Sequence, residues 1–366
     1  MFGSTSYARN TRRALLALGG FIALLCTSPQ AQAAPHVYTA NQQNLSQFGV
    51  GGTGLLAPLS PPNVTPAATP VRMAASPDGK SVYVTERNNR VAQYNVGPTG
   101  KLSPKSPASV ATAEFPFGIA VSPDGGSVYV TFDDPSNGIG GVSQFDVGTN
   151  GRLSPKSPAS VANSDLGSWG VAVSPSGNNV YVPNFLDASV SQYSVGPGGT
   201  LTQKSPPSVA AGSVPQSVAV RPNNQSVYVT NAASHSVSQY TVGPGGKLQP
   251  KSPPSVIVGH GSTDDPVDVV VTPTGGNVYV ANDNGFISQF TIGAGGGLVP
   301  KTPARVAAGP NPDSLAVSPN GQSVYVGEYG DSKIAQYTVG AGGRLTPKSP
   351  AKVKVGFHPF DIVATP

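Results

Sequence analysis

The chain has 366 residues, only 11% of them charged, and a formal charge of +5. Gly (45) and Pro (38) are abundant, but Val, Tyr and Ile recur at regular spacing throughout; that regularity excludes disorder and favours turn-rich β structure. Without Arg9, Arg12 and Arg13 the charge falls by three, to +2, so the basic balance is no argument for nucleic-acid binding.

The first segment, residues 1–33, reads as an export signal. Three arginines form a basic start, and "ALLALGGFIALLC" (Ala14–Cys26) is an apolar core too short to span a bilayer comfortably. "AQA" at Ala31–Ala33 supplies small residues for a signal peptidase. "TRRALL" (Thr11–Leu16) fits the twin-arginine route as well as the general one, and both stay open. Cys26 is the only cysteine, and Leu25 before it does not suit lipoprotein cleavage. The mature chain, expected from residue 34, therefore has no thiol, disulfide or thiolate ligand. It is expected outside the cytoplasm, extracellular or in the cell envelope, without a transmembrane segment.

From there the chain repeats. Val-Tyr pairs end at Tyr38, Tyr83, Tyr129, Tyr181, Tyr228, Tyr279 and Tyr325, spaced 45 to 52 residues apart. Each full unit runs in one order: "IAVSP", a turn such as Asp-Gly, "SVYVT", a polar loop, "VSQYSVG", a Gly-rich turn and "LSPKSPASV". Alternating Val, Tyr and Ile mark strands, and Asp-Gly or Gly-Gly between them mark hairpins, where glycine takes positive φ without steric cost. No helical periodicity occurs. Four short strands per unit predict one blade of a β-propeller.

The last unit, "PFDIVATP" (Pro359–Pro366), holds one strand, and the first, "APHVYTANQQNLSQFGVG", lacks that same strand. The two halves complete each other, giving an all-β, seven-bladed β-propeller over residues 34–366. Its closure blade has one C-terminal and three N-terminal strands, leaving no free edge at the junction.

"VYVTN" (Val227–Asn231), "VYVPN" (Val180–Asn184) and "VYVAN" (Val278–Asn282) resemble the YVTN-repeat seven-bladed propellers, which are related to the propeller lactonases of the 6-phosphogluconolactonase-like superfamily. The resemblance implies the fold. For activity it implies a range, from lactone hydrolases and muconate-cyclising enzymes to envelope proteins with no known reaction. The matching residues are strand and turn residues, so it carries over no catalytic position.

Loops before the inner strand and after "VYVT" share the top face in such a ring. That rule puts every acidic residue except Asp78, Asp124 and Asp146 on the top. Lys105, Lys156, Lys204, Lys251, Lys301 and Lys348 share one position in six blades and are expected on the lower outer rim. A negative top face attracts cations or polyols and repels anions such as phosphorylated lactones.

Two residues after the inner-strand Pro, most blades carry Gly or Ser, while Arg72, Asp268 and Asp361 stand out. They are the candidates for an Arg–carboxylate constellation, whether for ligand binding, acid/base chemistry or a plain structural ion pair. One residue after it stand Phe117, Trp169 and Phe360, suited to stacking on a sugar or to packing between blades. Glu86, at the "N" position of the repeat, and Asp264 and Asp265, in a long top loop, complete the ligand candidates. His36, His235, His260 and His358 lack metal-ligand spacing, and no EF-hand or nonapeptide pattern supports calcium at Asp264, Asp265 and Asp268. No metal and no cofactor are expected.

The leading expectation is an exported binding or scaffold protein using its acidic top face for a carbohydrate, cation or protein ligand. The alternative is a lactonase-like hydrolase with its site at the top of the channel, where Arg72 would polarise the carbonyl and Asp268 or Asp361 act as base. The expected partners are a polar small molecule, a glycan or an envelope protein, with no nucleic acid, and the chain is expected as a monomer.

Overall fold

A computed structural model describes residues 35–134, 136–163, 165–258 and 264–366. The expected export signal and His260 lie outside the described residues.

The described strands form seven four-stranded antiparallel sheets. Blade 1 is Pro70–Ala75, Ser81–Glu86, Arg90–Val96 and Leu102–Ala111, counted outward from the axis. Blades 2 to 6 follow in chain order, with inner strands starting near residues 116, 172, 215, 266 and 312. Blade 7 closes the ring as expected, its inner strand Pro359–Ala364 pairing with His36–Asn41 and then Leu45–Val50 and Leu56–Val64. Val37 pairs with Ala364 and Tyr38 with Val363, so the last strand of the chain is bonded to the first. Thr365 Oγ1 accepts the His36 N–H at 3.1 Å and fixes the register.

Sequence alternation becomes packing between blades. Each buried Tyr and Val of "VYV" faces a neighbouring sheet, and the apolar core divides into seven clusters, each shared by two adjacent blades. Tyr38, Leu45, Met73, Val82 and Val84, for example, join blades 7 and 1. No blade has a core of its own.

Three polar residues of the repeat finish the joints. The Tyr hydroxyl of "VYV" donates to a carbonyl in the next blade's Gly-rich hairpin, as Tyr83 to Gly151 O at 2.7 Å and Tyr325 to Gly54 O at 2.8 Å. The Gln of "SQY" donates to its own outer strand and accepts from the next blade: Gln93 Nε2 bonds Pro107 O at 2.9 Å, and its Oε1 takes the Leu153 N–H at 2.8 Å.

The Lys of "SPKSP" reaches the same hairpin, and here the structure corrects the sequence reading. Its ammonium does not line the rim but turns inward. Lys204 Nζ donates to Asn179 Oδ1 (2.8 Å), Ser194 Oγ (2.8 Å) and Gly245 O (2.7 Å). Lys105, Lys156 and Lys301 are likewise buried, while Lys251 and Lys348 are half-buried. Three acceptors in one place suit a three-donor ammonium, which is why the position repeats as Lys. The six lysines hold blades together.

Lys204→Met keeps the stem but strands those acceptors. It is expected to lower the unfolding free energy by about 2 kcal/mol, the worth of charged hydrogen bonds in a buried place. Chemical denaturation of the two proteins checks this.

Candidate functional site

Seven inner strands converge on the axis, so the residues that follow each strand's first position are brought together from the whole length of the chain. Crowding there is severe. A Cβ on Gly118 would meet Trp169 O at 2.5 Å, and one on Gly170 would meet Gln216 O at 2.6 Å. At this level blades 2 and 3 carry glycine, and the side chains come from blades 1, 4, 5, 6 and 7, with Trp169 bordering them from the neighbouring position. They enclose a cavity of about 210 Å³ at the top of the channel.

Arg72 crosses its mouth. Its Nη1 donates to Phe360 O at 2.7 Å and Val71 O at 3.2 Å, and lies 3.8 Å from Asp313 Oδ2. The backbone beneath it is fixed by Thr85 Oγ1, which accepts the Arg72 N–H at 3.0 Å. None of the described residues accepts from Arg72 Nε or Nη2, leaving that edge of the fork for a ligand. Asp361 Oδ2 accepts the Met73 N–H at 2.7 Å. Asp268 is more fully engaged: Oδ1 takes Ser217 Oγ (2.6 Å) and Val269 N–H (2.8 Å), and Oδ2 takes Leu315 N–H (2.7 Å). Its carboxylate ties three neighbouring blades together, which makes it a positioning group.

The structure thus brings Arg72, Asp268 and Asp361 into one cavity and adds Asp313. That residue sits one place after its Pro, in a column that reads as aromatic in blades 2, 3 and 7. A carboxylate among aromatics was the signal available for it.

Three carboxyls share one guanidinium in an enclosed site. Burial pushes the Asp361 carboxyl up to about 7; Arg72 and the Met73 N–H oppose the shift, and Asp268 adds to it. Burial also raises Asp268 against its hydrogen bonds and Arg72, and raises Asp313 against Arg72, with Asp268 and Asp283 reinforcing it. Burial works against the charged Arg72, but the three carboxylates outweigh it and hold the guanidinium above its ordinary value. Arg72 and Asp313 keep 25% and 28% of their side-chain surface open, and both line the cavity.

Among the described residues Trp169 is the one aromatic that lines the cavity, and it is held in a stack of rings. Phe117 stacks on Trp169 at 4.3 Å between centroids, and Trp169 on Phe185 at 5.1 Å. The blade that carries Trp169, which is half-buried, departs from the repeat. Pro183 replaces the Thr of "VYVT", and the blade 3 inner strand shortens to Ala172–Val173. The Trp169 carbonyl accepts from blade 2, from Gly118 N–H at 2.9 Å and Thr131 Oγ1 at 2.8 Å, the latter as Phe117 O accepts from Thr85 Oγ1 at 2.8 Å. Phe360 lies apart from this stack, tilted against Tyr329 at 5.7 Å, and Tyr329 also stacks with His358 at 4.2 Å.

The remaining candidates do not join the cavity. Glu86 is fully buried, accepts the Ala68 N–H at 3.3 Å and has its carboxyl raised by burial. It closes its own loop, as do Asn184 and Asn231 at the same position in other blades. Asp264 is 2% exposed, hydrogen-bonded to Asn284 and 3.6 Å from Arg305; Asp265 pairs with His235 at 2.9 Å. Among the described residues no group of three or more His, Cys, Asp or Glu is placed to hold a metal. Several acids expected on the top face are therefore consumed locally, Glu328 with Lys352 at 2.7 Å among them. No described helix is long and apolar enough to cross a membrane.

Residues 140–262 match the family described as lactonase, seven-bladed beta-propeller, so the resemblance read from the repeats is borne out. Among solved structures, a periplasmic gluconolactonase from Pseudomonas aeruginosa superposes with a TM-score of 0.76 at 18% identity, covering 91% of this chain and 99% of that one. A protein from Bacteroides uniformis provisionally named a 6-phosphogluconolactonase gives 0.75 at 18%, over 91% and 100%. Hydrazine synthase from Kuenenia stuttgartiensis gives 0.61 at 18%, over 80% and 89%, so the fold alone does not settle the chemistry. No curated protein is significantly similar to the chain.

The raised Asp361 carboxyl has a stability consequence. The folded state holds its proton up to about 7, while the unfolded chain loses it near the ordinary 3.8. Stability from this group is therefore fully present below about 3.8 and is lost as pH rises through about 7. Asp361→Asn is expected to flatten that decline, measured as unfolding midpoints between pH 4 and pH 8.

Proposed function

We propose that the protein is a lactonase-like hydrolase of small uncharged cyclic esters, with its site in the cavity at the top of the channel. The observation that carries this reading is that Arg72 and Asp361 line one partly closed cavity, the carboxyl having an affinity for protons matched to neutral pH. The match of residues 140–262 to a lactonase family and the likeness to a gluconolactonase support it.

The chemistry is ester hydrolysis. A water oxygen bonds to the lactone carbonyl carbon, and Asp361, ionised above about 7, takes the water proton. Negative charge grows on the carbonyl oxygen, where the free edge of Arg72 stabilises it. The ring C–O bond then breaks, and the proton held by Asp361 passes to the departing ring oxygen, giving a hydroxy acid. Asp313 keeps the guanidinium aimed at the cavity. Asp268, with both oxygens engaged, fixes the three blades around it.

Two features favour uncharged substrates. Three carboxyls around one cation disfavour a second anion, and an exported protein would meet few phosphorylated metabolites. Export itself rests on the reading of residues 1–33.

The Phe117–Trp169–Phe185 stack beside carboxylates favours a second reading, a glycan- or polyol-binding protein without hydrolysis, in line with an envelope binding role. A glycan array showing signal that Trp169→Ala abolishes, with no lactone opened, would establish it in place of the first.

On a panel of aldonolactones and simple γ-lactones the protein is expected to catalyse ring opening, with kcat/KM rising through an apparent pKa near 7. Arg72→Ala should lower kcat about 100-fold or more. Inert protein across the panel at pH 6 to 9 would defeat the proposal.

A further inference from the structure

The channel changes character with depth. Below the polar layer, the fourth and fifth residues after the inner-strand start are Ala or Val in six blades, as in Ala219-Val220, Val270-Val271 and Ala316-Val317, and the short blade 3 strand is itself Ala172–Val173. The fifth residue is half-buried in every blade: it packs against an apolar joint cluster and still keeps part of its surface open. On the side of blades 4 to 7 this surface forms an open depression of about 360 Å³, lined only by aliphatic residues and one proline, Pro273. Val269, Val270 and Leu315 line both the cavity and the depression, polar above and apolar below. From the Arg72 layer to the fifth residue is roughly 10 Å along a strand.

A water-accessible aliphatic surface gains free energy only when an apolar group covers it. Gluconolactone and other bare polyols would leave it wet. We infer that the lactone taken by this site carries an unbranched alkyl substituent, its ring held at Arg72 and its chain running down the channel against Val270, Val271 and Ala316. This rests on the hydrolase reading for the ring, but the chain-binding part stands on the apolar depression alone. Lactone and tail are one amphiphile, matched to a channel that is polar at one end and aliphatic at the other.

Trp169 is the chain's only tryptophan and lines the upper cavity, so its emission reports occupancy without any need for turnover. The test uses γ-lactones with no side chain and with two-, four- and six-carbon side chains, in parallel binding and hydrolysis assays. The dissociation constant should fall about fourfold per added methylene until the lower channel is filled, which is the transfer of one buried CH₂. Ala219→Leu, which narrows the depression, should make long and short lactones bind alike; Val220→Phe serves the same purpose should the first variant fail to fold. Chain-length dependence with no ester opened would uphold the tail site and remove the hydrolase reading. Ring opening with no chain-length dependence would do the reverse, and a chain-length gain that survives both variants would overturn the tail site. If no lactone changes Trp169 emission or is opened, both fall.

Discussion

Each blade completes the hydrogen bonding of the next. Tyr, Gln and Lys from one sheet reach the hairpin or outer strand of its neighbour, and the apolar clusters lie in the joints and not in the blades. A sheet of this kind has no stable existence alone: its buried Tyr hydroxyl and Lys ammonium would lack acceptors, at the cost of unsatisfied buried polar groups. The pattern is satisfied everywhere only if the last blade finds the first. Blade 6 does so across the junction, through Tyr325 to Gly54 and Lys348 to Thr53, and the pairing of Pro359–Ala364 with His36–Asn41 seals the ring.

The candidate site is a product of that closure. Asp361 stands on the last strand of the chain and Arg72 on the first complete blade, 289 positions earlier in sequence, yet they are neighbours around the axis. Closing the ring removes solvent from both. A carboxyl that would ionise near 3.8 in water keeps its proton to about 7, because the cavity walls replace water with backbone and aliphatic groups. One guanidinium cannot hold three carboxyls ionised in that setting. The raised proton affinity that costs the ring stability once Asp361 ionises is the same property that poises Asp361 for acid/base work at neutral pH.

Much of this was legible in the sequence, for an identifiable reason. Strand alternation and hairpin glycines are local, so copying them seven times made the blades plain, and two half-units made the closure plain. Comparing equivalent positions also found Arg72, Asp268 and Asp361, because a large charged residue in a column of Gly and Ser is out of place at a crowded axis. Asp313 escaped that comparison, standing one column over among residues expected to be aromatic. Burial was the illegible part. Glu86 and Asp264 lie in loops of the right face but point into the protein, and a ring of lysines that reads as a charged rim is a set of joints. The direction of a side chain in a loop depends on the neighbouring blade, which no single repeat records.

The central claim is that ring closure desolvates Asp361 beside Arg72. Carbon-13 titration of the aspartate side-chain carboxyls, with Asp361 assigned by its loss in Asp361→Asn, tests it most directly. The account requires a titration near 7 that moves higher in Arg72→Ala, since the guanidinium is the main group favouring the ionised form. An Asp361 carboxyl that titrates near 4 and ignores the loss of Arg72 would contradict it.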